Sequence, residues 1–424
     1  MVAASLPAPA LRERLDPRRL SETLRRWRIR AARLLIIAAA FLTSCQPASD
    51  RGARLTVATS WGGAASETLH REILRVARQL GDVSVEMRTY SFLGLADSLA
   101  RGQRDPQELL LDLIVVPNDW LGPLAERQVI VELPTARIEV ARERLVRQAL
   151  LAVTDGDRVL GYPLSAEVLA LVYDPTLFGS APATVEDLLR AKLPAGMMPF
   201  AFDIGSAYHL APFVTSLQGP LVDASGNFAW NGDSAAEALE RLRPAWQANG
   251  AWPLFAGRDV ESLQLQLFAE GRLAAFLAGP WMLEALEKTG RTFAIGPVPR
   301  FVDSPHPARA LVGYQCVAVA ADSAWVDLGL EVGARLLDVE TNERVNQGSR
   351  RLPVLLDAFH SAGAIQSPGT MGFLRALEEG QFFPTSTPWN MEFQRVSGRL
   401  SRLGRSLHQP TAADVAHVAG RETP

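Results

Sequence analysis

The sequence predicts an α/β protein whose first strands form a parallel sheet. Beyond Arg54, short apolar runs typical of strands alternate with segments in which apolar residues recur every three to four positions. This alternation is typical of parallel strands covered by helices. With 424 residues, of which 48% are hydrophobic and 21% charged, the chain is long enough for two or three domains with their own cores.

The elements follow in a regular order. Buried strands are predicted by composition at 55–59 and 113–116, and a half-buried strand is predicted by alternation at 83–87. Helices are predicted by their period at 69–80 and 93–99. Further along, helices are predicted at 185–190, 234–248, 260–269, 282–288, 327–337 and 372–379, extended runs at 169–173, 273–277, 293–297 and 311–319, and a hairpin around 155–157.

The N-terminal segment has the pattern of an export signal. Residues 1–44 carry nine arginines against three acidic residues and end in an apolar stretch at 34–42 that is too short to span a bilayer. The following Leu42-Thr43-Ser44-Cys45 resembles the bacterial lipobox, whose cysteine is lipidated and becomes the mature N-terminus. We therefore expect a signal peptide at 1–44, a lipidated tether at 45–52, and an exported protein that faces the periplasm or cell exterior. An ordinary signal peptide with a coincidental cysteine is the alternative.

Charge and composition exclude several classes of function. The net charge is −3, and because the first 44 residues are basic, the rest of the chain is acidic and a poor partner for nucleic acid. The second cysteine, Cys316, lies in an apolar run and is expected to be buried and structural. The six histidines show no helical i,i+4 pair, so neither a metal nor another cofactor is expected. No G-x-S-x-G, H-E-x-x-H or P-loop pattern indicates catalysis.

Five patterns occur in an order that resembles one known family. They are DLIVVPNDW at 112–120, GYPLSAEVLALVYD at 161–174, FAEGRLAAF at 268–276 with GPW at 279–281, LVG at 311–313, and Phe383-Pro384 with Trp389. Together they resemble the bacterial extracellular solute-binding proteins of family 1, the maltose/maltodextrin-binding type. The likeness extends over almost the whole exported body.

This resemblance implies the type II periplasmic-binding-protein fold. Two hinge-linked, discontinuous α/β lobes would enclose a central ligand cleft and close around the ligand. One lobe would comprise residues 53–163 and 317–362, the other residues 167–312 and 365–424. The resemblance also implies a monomeric, non-enzymatic capture protein that delivers its solute to the permease subunits of an ABC importer.

A carbohydrate ligand gives the cleft recognisable requirements. A sugar presents apolar C–H faces that stack on aromatic rings, and hydroxyl groups that donate to carboxylates. Eight side chains of this kind lie at positions that match the family or beside them, and we expect them to bind the ligand. They are Trp61, Asp119, Trp120, Glu167, Tyr208, Trp281, Trp389 and Phe393. No catalytic residue is expected.

Some of these side chains have a second interpretation. Asp119 could instead cap the helix that starts near Trp120. Glu167 either faces the cleft, which we favour, or pairs with an arginine that fastens the hinge. Trp389 and Phe393 are one helical turn apart, and at least one of them is expected to reach the ligand.

The sequence also departs from the maltodextrin binders. It has Val116 and Trp120 where they carry a tryptophan and an arginine, Ser206 where they carry a glutamate, and His209 where they carry an aromatic residue. The aromatic platform for a long glucan is therefore partly missing, and a mono- or short oligosaccharide is the expected ligand.

Two alternatives stay open at this point. The same fold could bind a polyamine or another small solute, since the acidic body does not forbid a cationic ligand. A lipid-anchored carbohydrate-active enzyme would use Asp119 and Glu167 as paired carboxylates.

Overall fold

The computed structural model describes residues 52–102, 110–247, 260–359 and 368–405. Every element named below belongs to the unit that begins at Ala53. The predicted signal peptide, Cys45 and the tail beyond residue 405 lie outside the described residues. Within the described ranges, no helix combines the length and apolar character needed to cross a membrane.

Eleven strands lie in the described ranges. They are β1 (Ala53–Thr59), β2 (Val83–Thr89), β3 (Leu113–Pro117), β4 (Thr154–Asp155), β5 (Arg158–Val159), β6 (Tyr162–Val168), β7 (Ala170–Tyr173), β8 (Ala275–Ala278), β9 (Ala294–Gly296), β10 (Leu311–Val319) and β11 (Gln381–Phe382).

Sixteen α-helices and a 3₁₀ turn at Pro280–Met282 accompany these strands in the same ranges. The helices are α1 (Gly63–Leu80), α2 (Phe92–Gly102), α3 (Asn118–Glu126), α4 (Ala136–Arg142), α5 (Arg147–Leu151), α6 (Pro175–Phe178), α7 (Val185–Leu189), α8 (Ala207–Gln218), α9 (Gly232–Gln247), α10 (Val260–Ala269), α11 (Leu283–Lys288), α12 (Val326–Arg335), α13 (Val339–Ser349), α14 (Leu356–Phe359), α15 (Pro368–Glu379) and α16 (Thr387–Gly404).

The larger sheet has six strands and contains the predicted parallel core. β1 lies between β2 and β3 and is parallel to both, with Val57 opposite Met87 on one side and Leu113 on the other. Helix α1 covers this sheet with the apolar face predicted from its period, and its residues Leu69 and Ile73 are fully buried.

Strand β10 joins the two halves of this sheet. Its second half pairs with β3 antiparallel, its first two residues pair with β11, and most of its length pairs with β6. All nine residues of β10 are buried, including Gln315, and other strands pair with both of its edges. The buried thiol of Cys316, whose pKa burial raises, confirms the structural role expected for this cysteine.

The smaller sheet, in the order β8-β7-β9, is antiparallel throughout. The parallel arrangement predicted for the first strands does not extend to this part of the chain, for which the sequence predicted extended runs without a direction. Helices separate neighbouring elements in sequence here as well, but β8 and β9 return on either side of β7 in the opposite direction.

The chain passes directly from one sheet to the other after β6. Leu169 alone separates β6, in the larger sheet, from β7, in the smaller one. Strand β10 begins beside β11 and ends beside β3, both of them strands of the larger sheet. The lobe boundaries predicted above, at 163–167 and 312–317, fall within β6 and β10.

Candidate functional site

The site is built around the carboxyl end of β3, where open α/β sheets commonly bind ligands. Asn118 is fully buried and ties three segments together. Its Oδ1 accepts from the backbone N–H of Tyr314 at 2.9 Å, and its Nδ2 donates to the carbonyl of Phe383 at 3.2 Å. β3, β10 and the segment after β11 are thereby fixed at one place.

Asp119 follows and is almost completely enclosed, with 5% of its surface exposed. It lies in the first turn of α3, whose cap position is Pro117, and no side chain caps this helix. Its Oδ2 accepts instead from Nδ2 of Asn390 at 2.9 Å, and Gln394 donates to the same carboxyl group. Burial raises the pKa of Asp119 to about 7, against the lowering effect of these donors.

Tyr208 and Trp281 lie side by side, and Tyr208 is close to this carboxyl group. Their ring centroids are 6.4 Å apart, and the charge of Asp119 acts on Tyr208, whose pKa is raised by burial and by that charge. Trp281 is partly exposed in the turn after β8. Gly279 is required there, because a Cβ at this position would overlap the six-membered ring of Trp281.

The indole of Trp281 is held in orientation by Glu261. Its Nε1–H donates to the two carboxylate oxygens at 3.2 and 3.3 Å. Glu261 also lies 3.6 Å from Nε2 of the buried His209, one residue after Tyr208. His209 thus supports the acid that orients Trp281 and presents no stacking face of its own.

An aromatic row continues from Tyr208 into the protein. The centroid of Phe383 is 6.4 Å from that of Tyr208, and its ring is stacked on Trp389 at 5.3 Å. Trp389 is in turn stacked on Phe393 at 5.1 Å. Both are buried and pack against Phe228, so the structure places them in the layer that supports Tyr208.

Glu167 pairs with an arginine, the second of the two interpretations drawn from the sequence. Arg351 donates from Nη1 to Oε1 of Glu167, and Nε2 of Gln315 donates to Oε2 at 3.0 Å. Arg351 is only 8% exposed, and burial lowers its pKa to about 9, so the guanidinium is charged at neutral pH.

Trp61 lies beside this ion pair. The guanidinium carbon of Arg351 is 4.1 Å from the centroid of its ring, which is the geometry of a cation–π contact. Trp61 itself is 1% exposed. We call Trp61, Glu167, Gln315 and Arg351 the Arg351 cluster.

Trp120 is further out and partly exposed. Its ring contacts that of Phe92, with centroids 5.0 Å apart, and Phe92 is half exposed. The two side chains form an aromatic rim beside Asp119, at the end of the sheet where β2 and β3 finish.

A shallow groove of about 500 Å³ opens between α1, α11 and α13. Its lining is polar and charged, and Arg350 reaches across it to Glu287 at 3.1 Å. It offers no ring on which a sugar could stack. In the described ranges, no three His, Cys, Asp or Glu side chains gather as metal ligands would.

Five residues of the site were not predicted from the sequence: Asn118, Gln315, Arg351, Glu261 and Phe92. Gln315 could have been found, since it is a polar residue in the middle of an apolar strand. The others carried no such signal, because exposed helix ends and turns also contain these residue types.

The fold and the site describe a two-sheet α/β binding protein with aromatic and polar groups where its sheets meet. Residues 77–359 match the family described as bacterial extracellular solute-binding protein, and the chain belongs to that family. Family membership supports the prediction of a binding protein and not an enzyme.

Individual relatives are distant but cover most of the chain. The chain is 22% identical over 399 residues to the maltooligosaccharide ABC transporter solute-binding lipoprotein of Streptococcus pneumoniae, covering 87% of this chain and 90% of that protein. It is 19% identical over 318 residues to the maltotriose-binding protein of Pyrococcus abyssi, covering 72% of this chain and 68% of that protein.

Solved structures agree on the fold. The maltotriose-binding protein of Thermus thermophilus superposes with a TM-score of 0.73 at 24% identity, covering 86% of this chain and 98% of that chain. The GacH receptor of Streptomyces glaucescens gives a TM-score of 0.75 at 15% identity, covering 87% and 97%. The predicted type II periplasmic-binding-protein fold is confirmed.

Proposed function

We propose that this chain is the extracytoplasmic solute-binding component of an ABC importer and captures a malto-oligosaccharide or a related short saccharide. The ligand binds where the two sheets meet, and the two lobes close around it. One lobe comprises residues 53–163 and 317–362, the other residues 167–312 and 365–424. The relatives named above support this proposal, since those from S. pneumoniae, P. abyssi and T. thermophilus are all named for malto-oligosaccharides or maltotriose.

One arrangement carries the proposal. The partly exposed indole of Trp281 lies over Gly279, is oriented by Glu261, and is next to Tyr208, which in turn is close to the carboxyl group of Asp119. Such a site offers the C–H face of a pyranose a ring to stack on and its hydroxyl groups an acceptor.

The remaining site residues take supporting roles. Trp120 extends the aromatic surface at the rim, while Trp389 and Phe393 fix the position of Tyr208 through Phe383. Trp61 and Glu167 contribute to the binding site as members of the Arg351 cluster. A lipid on Cys45 holds the monomeric protein at the membrane, near the permease that receives the sugar.

Titration calorimetry of the purified protein tests the proposal. We expect saturable one-to-one binding of maltotriose, weaker binding of glucose, and no binding of spermidine. The absence of heat with every saccharide at millimolar concentration contradicts it, and so does the release of shorter sugars from maltotriose, which would indicate an enzyme.

A further inference from the structure

The Arg351 cluster contains a buried cation. A sugar site made only of stacking rings and hydrogen-bond acceptors does not need one. Arg351 lies two residues after the end of α13, and its backbone N–H donates to the carbonyl of Asn346 at 3.0 Å. The preceding Arg350 has a left-handed backbone with φ of 56°. That turn reverses the chain, so that Arg350 reaches Glu287 on the surface while Arg351 enters the interior.

The carboxylate of Glu167 is already engaged by the protein. One oxygen accepts from Arg351 and the other from Gln315. The two opposite charges cancel within the cluster, and the indole of Trp61 supports the flat face of the guanidinium. Glu167 therefore adds no uncompensated negative charge to the site.

Three polar groups of the same cluster have no partner in the described part of the chain. They are the donors Nε1–H of Trp61 and Nε–H of Arg351, and the acceptor Oε1 of Gln315, all of them buried. Leaving buried groups unpaired is unfavourable, and native proteins retain few such groups. A hydroxyl group both donates and accepts, so it can satisfy a donor and an acceptor of this cluster at once.

We propose that Arg351 determines the ligand selectivity of this protein: it cancels the charge of Glu167, so that cationic solutes are rejected, and its Nε–H donates to an oxygen of a neutral saccharide. The inference rests on the proposed function for the identity of the ligand. The compensation of the Glu167 charge depends on the cluster alone. One side chain thereby lets the protein discriminate between saccharides and polyamines.

Calorimetry with three probes tests the proposal: maltotriose, spermidine, and the anionic sugar maltobionate. Arg351→Lys keeps the charge but loses the planar fork and Nε–H. It is expected to bind maltotriose at least about tenfold more weakly, since hydrogen bonds from charged donors contribute that much, and still to reject spermidine. Arg351→Gln leaves Glu167 uncompensated and is expected to gain spermidine binding of at least about tenfold over wild type.

Two further variants keep the test decisive where Arg351→Gln does not fold, since an unpaired buried charge is strongly destabilising. Glu167→Gln leaves Arg351 uncompensated and is expected to favour maltobionate about tenfold over wild type. The double variant Glu167→Gln/Arg351→Gln is neutral again and is expected to reject both charged probes. Arg335→Gln, which removes the same charge from a partly exposed pair with Glu331, is the matched control and should resemble wild type with every probe.

The outcomes are distinct. Wild-type affinity of Arg351→Lys for maltotriose overturns the ligand contact. Folded single variants whose preference among charged probes equals that of wild type overturn the charge compensation. Failure of the wild-type protein to bind maltotriose instead contradicts the proposed function, and the preference of the variants for spermidine or maltobionate still decides the role of Arg351.

Discussion

Asp119 illustrates how burial controls the charge of a single side chain in this site. Its carboxyl group would ordinarily ionise near pH 3.8, but enclosure between α3 and α16 raises its pKa to about 7. Because the folded protein holds this proton more tightly than the unfolded chain does, folding is favoured at low pH by this group, and that contribution is lost as the pH rises through 7.

We predict that Asp119→Asn removes a pH dependence from stability. Between about pH 4 and about pH 7, the free energy of unfolding of the wild type should fall by about 2–4 kcal/mol relative to that of the variant. Urea unfolding at several pH values measures this difference. A wild type and a variant with parallel pH profiles would show that Asp119 is ionised throughout.

Trp281 is expected to supply a large share of ligand affinity. Trp281→Ala removes the stacking face and should weaken maltotriose binding at least about tenfold, because stacking in a desolvated cleft contributes strongly to small-ligand affinity. Calorimetry measures the change, and Trp325→Ala, at a partly exposed indole before α12, is the control. Unchanged affinity in a folded Trp281→Ala protein would remove Trp281 from the site.

The sequence was informative where a side chain stands at a break between an apolar run and a turn. Asp119, Tyr208 and Trp281 all occupy such positions, and the structure brings these three together. Arg351 could not be found this way. It lies 184 residues from Glu167 in the chain, and the segment after α13 meets β6 there, where the backbone N–H of Ala166 donates to the carbonyl of Leu352 at 3.0 Å.

At the scale of elements, the turn from β8 into α11 determines how Trp281 is presented. Gly279 has an ordinary extended backbone, so any residue could adopt its conformation. The glycine is required by space alone, since the ring of Trp281 occupies the position of a Cβ.

Gly279→Ala is therefore expected to displace the indole. We predict destabilisation by about 1–3 kcal/mol, as for other overpacked sites, together with weaker maltotriose binding. Gly398→Ala, inside α16 with open space around the added methyl group, should be neutral or stabilising by up to about 1 kcal/mol. Thermal unfolding and calorimetry on both variants make the comparison, and equal behaviour of the two would contradict the close packing at Gly279.

Several elements were predicted from their period, and two helices without one were missed. Helix α1 and strands β1 to β3 follow their patterns, and α7, predicted at 185–190, begins with a capping box at Thr184. Helix α8 is apolar on nearly all sides and contains Pro212, while α13 is largely polar, so neither has the one-sided pattern that identifies a helix.

At the scale of the whole molecule, the attachment to the membrane that we propose depends on Cys45. We predict that Cys45→Ser abolishes lipidation and moves the protein from the detergent phase to the aqueous phase on Triton X-114 partitioning. Metabolic labelling with a fatty acid provides a second measurement, and Cys316→Ser is the matched control for loss of a thiol. Wild-type protein found only in the aqueous phase would favour the ordinary signal peptide.

The overall architecture was predictable because the ordered patterns from residue 112 to Trp389 fix the family, whose fold the solved structures share. The antiparallel smaller sheet was not, since strand direction depends on how the chain returns after β7 and has no local signature.

The single residue between β6 and β7 has a mechanical consequence. A link of one residue leaves no slack at this crossing, so in the lobe closure that we propose the sheets would rotate about Leu169 instead of sliding apart. Glu167, two positions earlier, would then lie close to the rotation axis. A ligand bound at the Arg351 cluster would therefore exert little torque on the lobes. A ligand held at Trp281 would act farther from the axis and exert more.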